Sequence, residues 1–359
     1  MASSADGRDT SEKLSGQKIL LFCQAPADIP YILTLYEFYE RQSSISIFVI
    51  NVEGMFKFLY DLQLDLEQLV FIPYQLVNLK RIDLLYSERK RIKLLWKEHF
   101  SNIHNGKVYF FSRFEDWLTA AFIHRLARNG ENIITYAGHN DYVALLFPVQ
   151  DKVSLKLKIY LFILKYLTNV SFSARRRDRL PEFQIDRYAI LKTKLEVDKQ
   201  VFVKYAYSID ILDKNASNLL FLISSGEPTV YAPLYYIDTI KSVISLFQIM
   251  GFKIFVKGHP RTGLPETVRN MTEFEIPSYV PGEFIDACNF KICLGIDTTA
   301  LCYFSINKIL PTYSVIKLFS YVDNSFSDIF IKYLKQQSDN EMLFINNFEE
   351  LKKIVLKYI

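Results

Sequence analysis

The chain has 359 residues, of which half are hydrophobic and 23% are charged, and its formal net charge is +4. This composition excludes an intrinsically disordered chain, because disorder requires low hydrophobicity and a high net charge. It also excludes a typical nucleic-acid-binding protein, which shows dense basic clusters. The length predicts two domains of ordinary size.

Residues 1–16 are small and polar and contain no apolar core segment. We expect a disordered tail or a cloning remnant here, and not a signal peptide. The four cysteines, Cys23, Cys288, Cys293 and Cys302, form no Cys-x-x-Cys pair and show no metal-type spacing with histidine. The last three fall in predicted core elements, which favours reduced, buried thiols and a cytoplasmic location.

Short apolar runs alternate with helical segments through the first half of the chain. This alternation predicts a parallel sheet covered on both faces. A helix is expected from Asp151 to Val170, and a charged loop from Ser173 to Phe183. The predicted strands are Lys18–Cys23, Ser44–Asn51, Leu69–Pro73, Lys107–Phe111 and Glu131–Gly138.

A second α/β series begins at Asn218 and predicts a second sheet of the same kind. We therefore expect an α/β fold of two Rossmann-like, doubly wound domains that face a central cleft, 17–205 and 206–359. Helices are expected at Ile237–Met250 and Glu283–Cys288. The later strands are predicted at Phe252–Lys257, Phe274–Ile276, Phe290–Gly295 and Lys308–Tyr313.

Three loops of the second half follow predicted strands, and ligands of open α/β sheets bind at such strand ends. The loops contain small residues, cations and hydroxyls, which together predict a pocket for a phosphate-bearing ligand. The alternative is that the cations are solvated and that the threonines only cap a helix. The residues are Ser225 and Gly226 in "SSGEP", Lys257, His259, Pro260 and Arg261 in "KGHPRTG", and Thr298 and Thr299 in "GIDTTAL".

The segments "VKGHPRTG", "SYVPGEFIDA" and "CLGIDTTAL" resemble, in this order, motifs of bacterial sialyltransferases of the GT-B type. The resemblance implies an acceptor-binding domain at 17–205 and a CMP-sugar-binding domain at 206–359. It implies inverting transfer of sialic acid, or a related nonulosonic acid, from a CMP donor to a glycan hydroxyl. Bacterial surface polysaccharide or lipooligosaccharide synthesis would be the setting, with no metal or other cofactor.

The resemblance also assigns roles to individual residues. His259 would contact the CMP phosphate and serve as an acid toward it, and Thr298 and Thr299 would bind the same phosphate. Glu283 would match the glutamate that helps to hold the nucleotide. These roles suit a departing phosphate, whose negative charge must be stabilised.

The first half departs from the family pattern at the general base. The family has an acidic pair before a glycine, but here Tyr136 and Ala137 precede Gly138. Asp141 is the preferred candidate for the base because the family uses a carboxylate, and His139 is the second. The alternative is that residues 139–141 only form a turn or a helix cap.

Two other functions remain open from the sequence. One is a CDP-glycerol glycerophosphotransferase of the teichoic-acid type, and the other is a non-catalytic nucleotide-sugar-binding partner. The expected partners are a CMP-activated sugar and a glycan or glycolipid acceptor, without nucleic acid, while a homo-oligomer is left open. The basic segments Ser87–Phe100 and Lys152–Lys165 are interpreted either as solvated helix faces or as peripheral contacts with the inner face of the cytoplasmic membrane.

Overall fold

The computed structural model describes residues 17–73, 82–111, 117–137, 154–177, 180–183, 190–209, 216–224, 233–260, 262–321 and 324–359. The strands are β1 Lys18–Cys23, β2 Ser44–Ile50, β3 Gln68–Ile72, β4 Gly106–Phe110, β5 Ile133–Tyr136, β6 Phe172–Arg177, β7 Leu180–Phe183, β8 Ile190–Lys192, β9 Asn218–Leu222, β10 Lys253–Lys257, β11 Phe274–Ile276, β12 Ile292–Gly295, β13 Thr312–Ser314 and β14 Leu343–Phe344. The helices are α1 Ile29–Tyr39, α2 Glu53–Asp61, α3 Ile82–His99, α4 Trp117–Arg128, α5 Leu155–Thr168, α6 Gln200–Lys204, α7 Pro233–Ile249, α8 Glu266–Arg269, α9 Ala300–Ile306, α10 Asn324–Gln337 and α11 Phe348–Val355.

Two six-stranded parallel sheets form the framework. The first has the order β3-β2-β1-β4-β5-β8, and the second has the order β11-β10-β9-β12-β13-β14. In each sheet the first strand along the chain is central, and the next two strands are added on one side of it. The chain then crosses back, and the remaining three strands are added on the other side. This is the doubly wound Rossmann order, so the predicted α/β fold with two Rossmann-like domains is confirmed. The predicted division at 205/206 falls between β8 and β9.

The first sheet separates two hydrophobic clusters. Strand β1 is apolar and buried, as expected for a central parallel strand with helices on both faces. On one face, α3, α4 and α5 cover a cluster that includes Phe22, Phe48, Phe100 and Phe122. On the other face, α1 and α2 belong to a cluster that continues into the core of the second sheet.

Phe284 lies at the centre of the apolar contact between the two halves. Its ring is fully buried, and its centroid lies 5.4 Å from that of Phe58 on α2. The ring centroid of Phe202 on α6 lies 5.1 Å from that of Phe284. The Phe202 centroid in turn lies 4.2 Å from the ring centroid of Tyr303 on α9. This aromatic row fixes the first half against the loop that follows β11.

Two local predictions of secondary structure are wrong. Residues 173–183 were expected to form a loop, but β6 and β7 pair as an antiparallel hairpin. Only Gly282–Phe284 form a 3-10 turn where a helix was expected over Glu283–Cys288. The main chain of this segment forms hydrogen bonds with Tyr207 instead of helical ones. The Tyr207 amide donates to the Phe284 carbonyl at 2.6 Å, and the Asp286 amide donates to the Tyr207 carbonyl at 3.1 Å.

The cysteine prediction is correct for Cys293 and Cys302, which are buried free thiols, and wrong for Cys288, which is an exposed free thiol. The loss of the expected helix explains this difference, because Cys288 follows a turn in which the Asp286 carboxylate accepts from its amide at 3.0 Å. Among the described residues, no helix has both the length and the apolar character needed to span a bilayer.

The aromatic row predicts that Phe284→Ala lowers the free energy of unfolding by about 3–5 kcal/mol, because it leaves a large cavity between the halves. Phe274→Ala is the matched control, since the Phe274 ring is 40% exposed at the edge strand β11. Urea denaturation followed by tryptophan fluorescence measures both changes. Equal losses in the two variants would contradict a central role for Phe284.

Candidate functional site

Two of the three predicted phosphate-binding loops, "KGHPRTG" and "GIDTTAL", lie at one edge of the second sheet, whereas residues 225–228 of "SSGEP" lie outside the described residues. Because β9, β10, β11 and β12 are mutually parallel, their carboxyl ends lie together. Lys257 ends β10, Glu283 follows β11, and Thr299 immediately precedes α9 after β12. The sheet order changes direction between β9 and β12, which is where ligands of such sheets bind.

Lys257 is a buried cation at this edge. Its side chain is among the few charged ones in the interior, with 6% exposure, and its Nζ donates to the Gly258 carbonyl at 3.0 Å. Burial lowers the pKa of Lys257 to about 8, while the Coulombic attraction of Glu283 opposes that shift. The strand end thus holds an ammonium whose charge is only partly compensated.

Glu283 is the carboxylate that faces this cation. Burial raises the pKa of Glu283, and Lys257 together with the Thr299 hydroxyl acts in the opposite direction. The Thr299 Oγ1 lies 3.5 Å from the Glu283 Oε1. Lys257, Glu283 and Thr299 therefore form one cluster, which we call the strand-end cluster.

The two threonines differ in what their hydroxyls contact. The Ala300 amide lies 3.4 Å from the Thr298 Oγ1, which gives Thr298 a capping contact. Thr299 occupies the N-cap position of α9 but makes no side-chain cap bond. The capping interpretation therefore describes Thr298, whereas Thr299 contacts the carboxylate.

Two glycines allow close main-chain approaches in this region. A Cβ on Gly282 would lie 2.6 Å from the Ala300 Cβ, so only glycine brings Glu283 this close to the start of α9. A Cβ on Gly258 would lie 2.5 Å from the main chain of Gly263. The loop is closed there by the Gly263 amide, which donates to the His259 carbonyl at 2.8 Å.

A cavity of about 440 Å³ opens where α2 of the first half faces the "KGHP" loop and the segment after β11. Both halves supply polar groups to its wall. Its lining residues are Asn51, Val52, Glu53, Gly54, Lys57, Pro260, Ser278 and Tyr279. The cavity therefore lies next to His259, with a carboxylate, an ammonium, an amide and an aromatic ring around it.

Close packing holds the two walls together at one end of this cavity. A Cβ on Gly54 would lie 3.1 Å from the Tyr279 Cβ, so a small residue is needed at that point. The Lys57 Nζ lies 4.4 Å from the centroid of the Tyr279 ring, a cation–π contact across the cleft. Asn51 turns the chain into α2 with a φ of 66°, a conformation that asparagine tolerates.

The structure describes some of the predicted site residues and not others. It brings Lys257, Glu283, Thr298 and Thr299 together, and Pro260 lines the cavity beside His259. Ser225, Gly226, Arg261, His139 and Asp141 lie outside the described residues.

At the position where the family has its acidic pair, Tyr136 is the last residue of β5 and Ala137 is buried. The ring centroid of Tyr136 lies 5.1 Å from that of Phe110. Within the described part of the chain, no group of three His, Cys, Asp or Glu side chains is placed to hold a metal ion.

The sequence interpretation missed the residues from the first half that line the cavity. Asn51, Glu53 and Lys57 follow β2 in "INVEGMFK", a polar strand end of the same kind as those noted in the second half. This strand-end pattern could have identified the three residues as site candidates from the sequence alone. Their position opposite Pro260 and Tyr279 was not, because it depends on how the two halves pack.

No protein-family model and no curated protein sequence matches this chain. Arabidopsis thaliana UGT89C1 complexed with UDP-L-rhamnose is similar in structure, with 10% identity, a TM-score of 0.45, and coverage of 94% of this chain and 89% of that one. A sialyltransferase from Photobacterium damsela shows 12% identity, a TM-score of 0.45, and coverage of 92% and 81%. UDP-GlcNAc 2-epimerase from Neisseria meningitidis bound to UDP-GlcNAc shows 10% identity, a TM-score of 0.39, and coverage of 95% and 99%. These proteins differ in activity, so the likeness selects no reaction.

The burial of Lys257 predicts a pH dependence of stability. Because its pKa of about 8 in the folded protein lies below the 10.5 of an unperturbed lysine, the unfolded chain binds more protons between these values. The free energy of unfolding should therefore rise by about 3 kcal/mol from pH 8 to pH 10.5 on account of this group, and stay constant below pH 8.

Urea denaturation at several pH values measures this contribution as the difference between the wild type and Lys257→Met. Lys253→Met, at the opposite end of β10, is the matched control. A difference between the wild type and Lys257→Met that does not change with pH would contradict the buried-cation interpretation.

Proposed function

We propose that this protein is a glycosyltransferase that moves sialic acid, or a related nonulosonic acid, from a CMP donor to a glycan hydroxyl. The strand-end cluster is the observation that carries the proposal. A partly compensated, buried ammonium beside a hydroxyl is suited to a phosphate, because an anion there would offset the desolvation of Lys257. The motif resemblance of the loops supplies the CMP-sugar assignment.

The reaction requires charge stabilisation on the donor side. When the glycosidic C–O bond to the CMP phosphate breaks, the phosphate oxygen takes the bonding electron pair and gains negative charge. An ammonium has three N–H donors, of which the Gly258 carbonyl accepts one from Lys257. Lys257 and Thr299 would donate to the phosphate, and His259 would give it a hydrogen bond or a proton.

Glu283 would act on the nucleoside side of the phosphate. Its carboxylate oxygens can accept hydrogen bonds from ribose hydroxyls. The single O–H of Thr299, which lies 3.5 Å from Oε1 in the free protein, would turn to the phosphate when the donor binds. The glycine before it sets this position, since Gly282 is the point of contact with Ala300. Glu283 would therefore couple nucleotide recognition to the start of α9.

The cavity between the halves would receive the sugars. Its amide, carboxylate and ammonium groups can bind hydroxyls, and the Tyr279 ring offers an apolar face for a sugar ring. In an inverting reaction, the acceptor hydroxyl attacks the anomeric carbon from the side opposite the phosphate, and its proton passes to a base. Asp141 and His139 remain candidate bases, and Glu53, a carboxylate that lines the cavity, is a third candidate.

Nucleotide binding tests the donor assignment. We expect CMP to bind more tightly than UDP or GDP in isothermal titration calorimetry, and to raise the thermal midpoint. His259→Ala should lower turnover of CMP-sialic acid by about 10²–10³-fold, because a donor to the departing phosphate is lost. His104→Ala, an exposed histidine of the first half, is the matched control.

Each rival function gives a different result in these assays. Stabilisation by UDP or GDP alone would refute the CMP donor. Transfer of glycerol phosphate from CDP-glycerol without use of CMP-sialic acid would favour the glycerophosphotransferase. Binding of CMP without release of CMP in the presence of galactoside acceptors would favour a non-catalytic partner.

Separate variants of Asp141, His139 and Glu53 identify the base. We expect Asp141→Ala to lower kcat by about 10²-fold or more while the Kd for CMP changes less than about twofold, because a base acts only on the acceptor. Glu53→Gln keeps the size of the side chain and removes its charge. Full turnover in Asp141→Ala with loss in Glu53→Gln would assign the base to Glu53, and loss only in His139→Ala would assign it to the histidine.

A further inference from the structure

Helix α5 is apolar on two opposite faces, of which the described part of the chain covers only one. Leu157, Leu164 and Leu167 are buried against the first sheet and its helices. Tyr160 and Ile163 pack partly against the same cluster. These contacts account for the inward face and leave the outward face to be explained, since an apolar helix surface is normally buried.

The outward face carries four large apolar side chains in one stripe. At 100° per residue their positions fall within an arc of about 60°, so they form a continuous row along the helix. The stripe consists of Leu155 (74% exposed), Ile159 (50%), Phe162 (73%) and Tyr166 (39%).

The charges beside this stripe all have one sign. The sequence of α5, "LKLKIYLFILKYLT", contains three lysines and no acidic residue. Lys156, Lys158 and Lys165 are all exposed, and two of them flank the stripe on the same side. Long lysine side chains can lie along an apolar surface while their ammonium groups remain in a polar layer.

Helix α3 packs beside α5 and extends this surface. The two helices contact each other, and the Arg89 guanidinium lies 4.5 Å from the centroid of the Tyr166 ring. On its solvent side, α3 exposes Tyr86 (72%) and Leu94 (55%). Lys90, Lys93 and Lys97 are exposed on the same helix.

A second copy of this chain is a poor occupant for such a face. A twofold dimer joins the same patch of both subunits, so the lysines around the two stripes would approach one another. Like charges brought together oppose association, and α5 itself has no acidic residue to pair with them, although α3 exposes Asp83 and Glu98. An anionic lipid surface instead offers negative headgroups to the lysines and an acyl boundary to the apolar row.

We propose that the outward face of α5, together with the adjoining side of α3, docks on the surface of a bilayer that contains anionic lipids. The apolar stripe enters the boundary between headgroups and acyl chains, with α5 parallel to the membrane plane. The six exposed lysines of the two helices lie at the level of the headgroups. This docking is independent of the reaction that the cleft performs.

Co-sedimentation of the full chain with vesicles tests the proposal. We expect binding to vesicles of phosphatidylcholine that contain about 30% of the anionic lipid phosphatidylglycerol. Binding to pure phosphatidylcholine should be much weaker, and binding to the anionic vesicles should decrease as salt is raised. Ile159→Ser/Phe162→Ser should weaken binding by about tenfold or more, because both side chains are exposed and serve only the outer face. Ile249→Ser, at an 81% exposed apolar residue of the second half, is the matched control.

Charge reversal tests the second part of the proposal. Lys158→Glu/Lys165→Glu should reduce binding to anionic vesicles by about 25-fold or more, since each lysine near the surface contributes about fivefold. Lys352→Glu/Lys353→Glu on α11 is the control with the same change in net charge. Equal losses in the two charge variants would refute a local contact.

Three outcomes would overturn the proposal. The first is no binding to anionic vesicles, and the second is binding that the serine variant leaves unchanged. The third is a dimer in sedimentation velocity that Ile159→Ser/Phe162→Ser dissociates, which would assign the face to a second copy of the chain. Circular dichroism of the variants checks that the helices remain folded.

Discussion

The position of Lys257 is the constraint on which the candidate site depends. A cation at the end of β10 is withdrawn from water, and the nearby carboxylate of Glu283 compensates it only in part. Such a residue lowers the stability of the free protein at neutral pH. Its place at a strand end suits Lys257 to ligand binding, because an anionic ligand there can balance the part of the ammonium charge that Glu283 leaves uncompensated.

Topology then decides which groups surround this cation. Because the second sheet starts at β9 and is extended on both sides, the carboxyl ends of β9, β10 and β12 are neighbours although 30 or more residues separate them in the chain. Gly282 lets the segment before Glu283 approach the start of α9, and Gly258 lets the loop after β10 close on Gly263, so a larger residue at either position would force these main-chain segments apart. The chemistry of the site is therefore tied to backbone contacts.

The sequence predicted the sheets well because buried parallel strands are short apolar runs: β1 and β11 were placed to the residue, and β10 begins one residue later than predicted. It failed where tertiary contacts override local pattern. The segment after Glu283 has helical composition, but its main chain pairs with Tyr207. The hairpin of β6 and β7 forms from a charged segment whose composition is typical of a loop. The first-half wall of the cavity depends on packing between the halves, which no local pattern encodes.

The two proposed surfaces occupy opposite faces of the first sheet. Helix α5 packs on the cluster that contains Phe122, whereas α2, which lines the cavity, belongs to the cluster that continues into the second half. A bilayer bound at α5 would therefore contact the first half on the side away from the core that joins the halves. The rim that carries His259 and Pro260 would remain accessible to a donor from the aqueous phase. Membrane attachment and opening of the cleft would then act on different faces of one sheet, so neither needs to disturb the other.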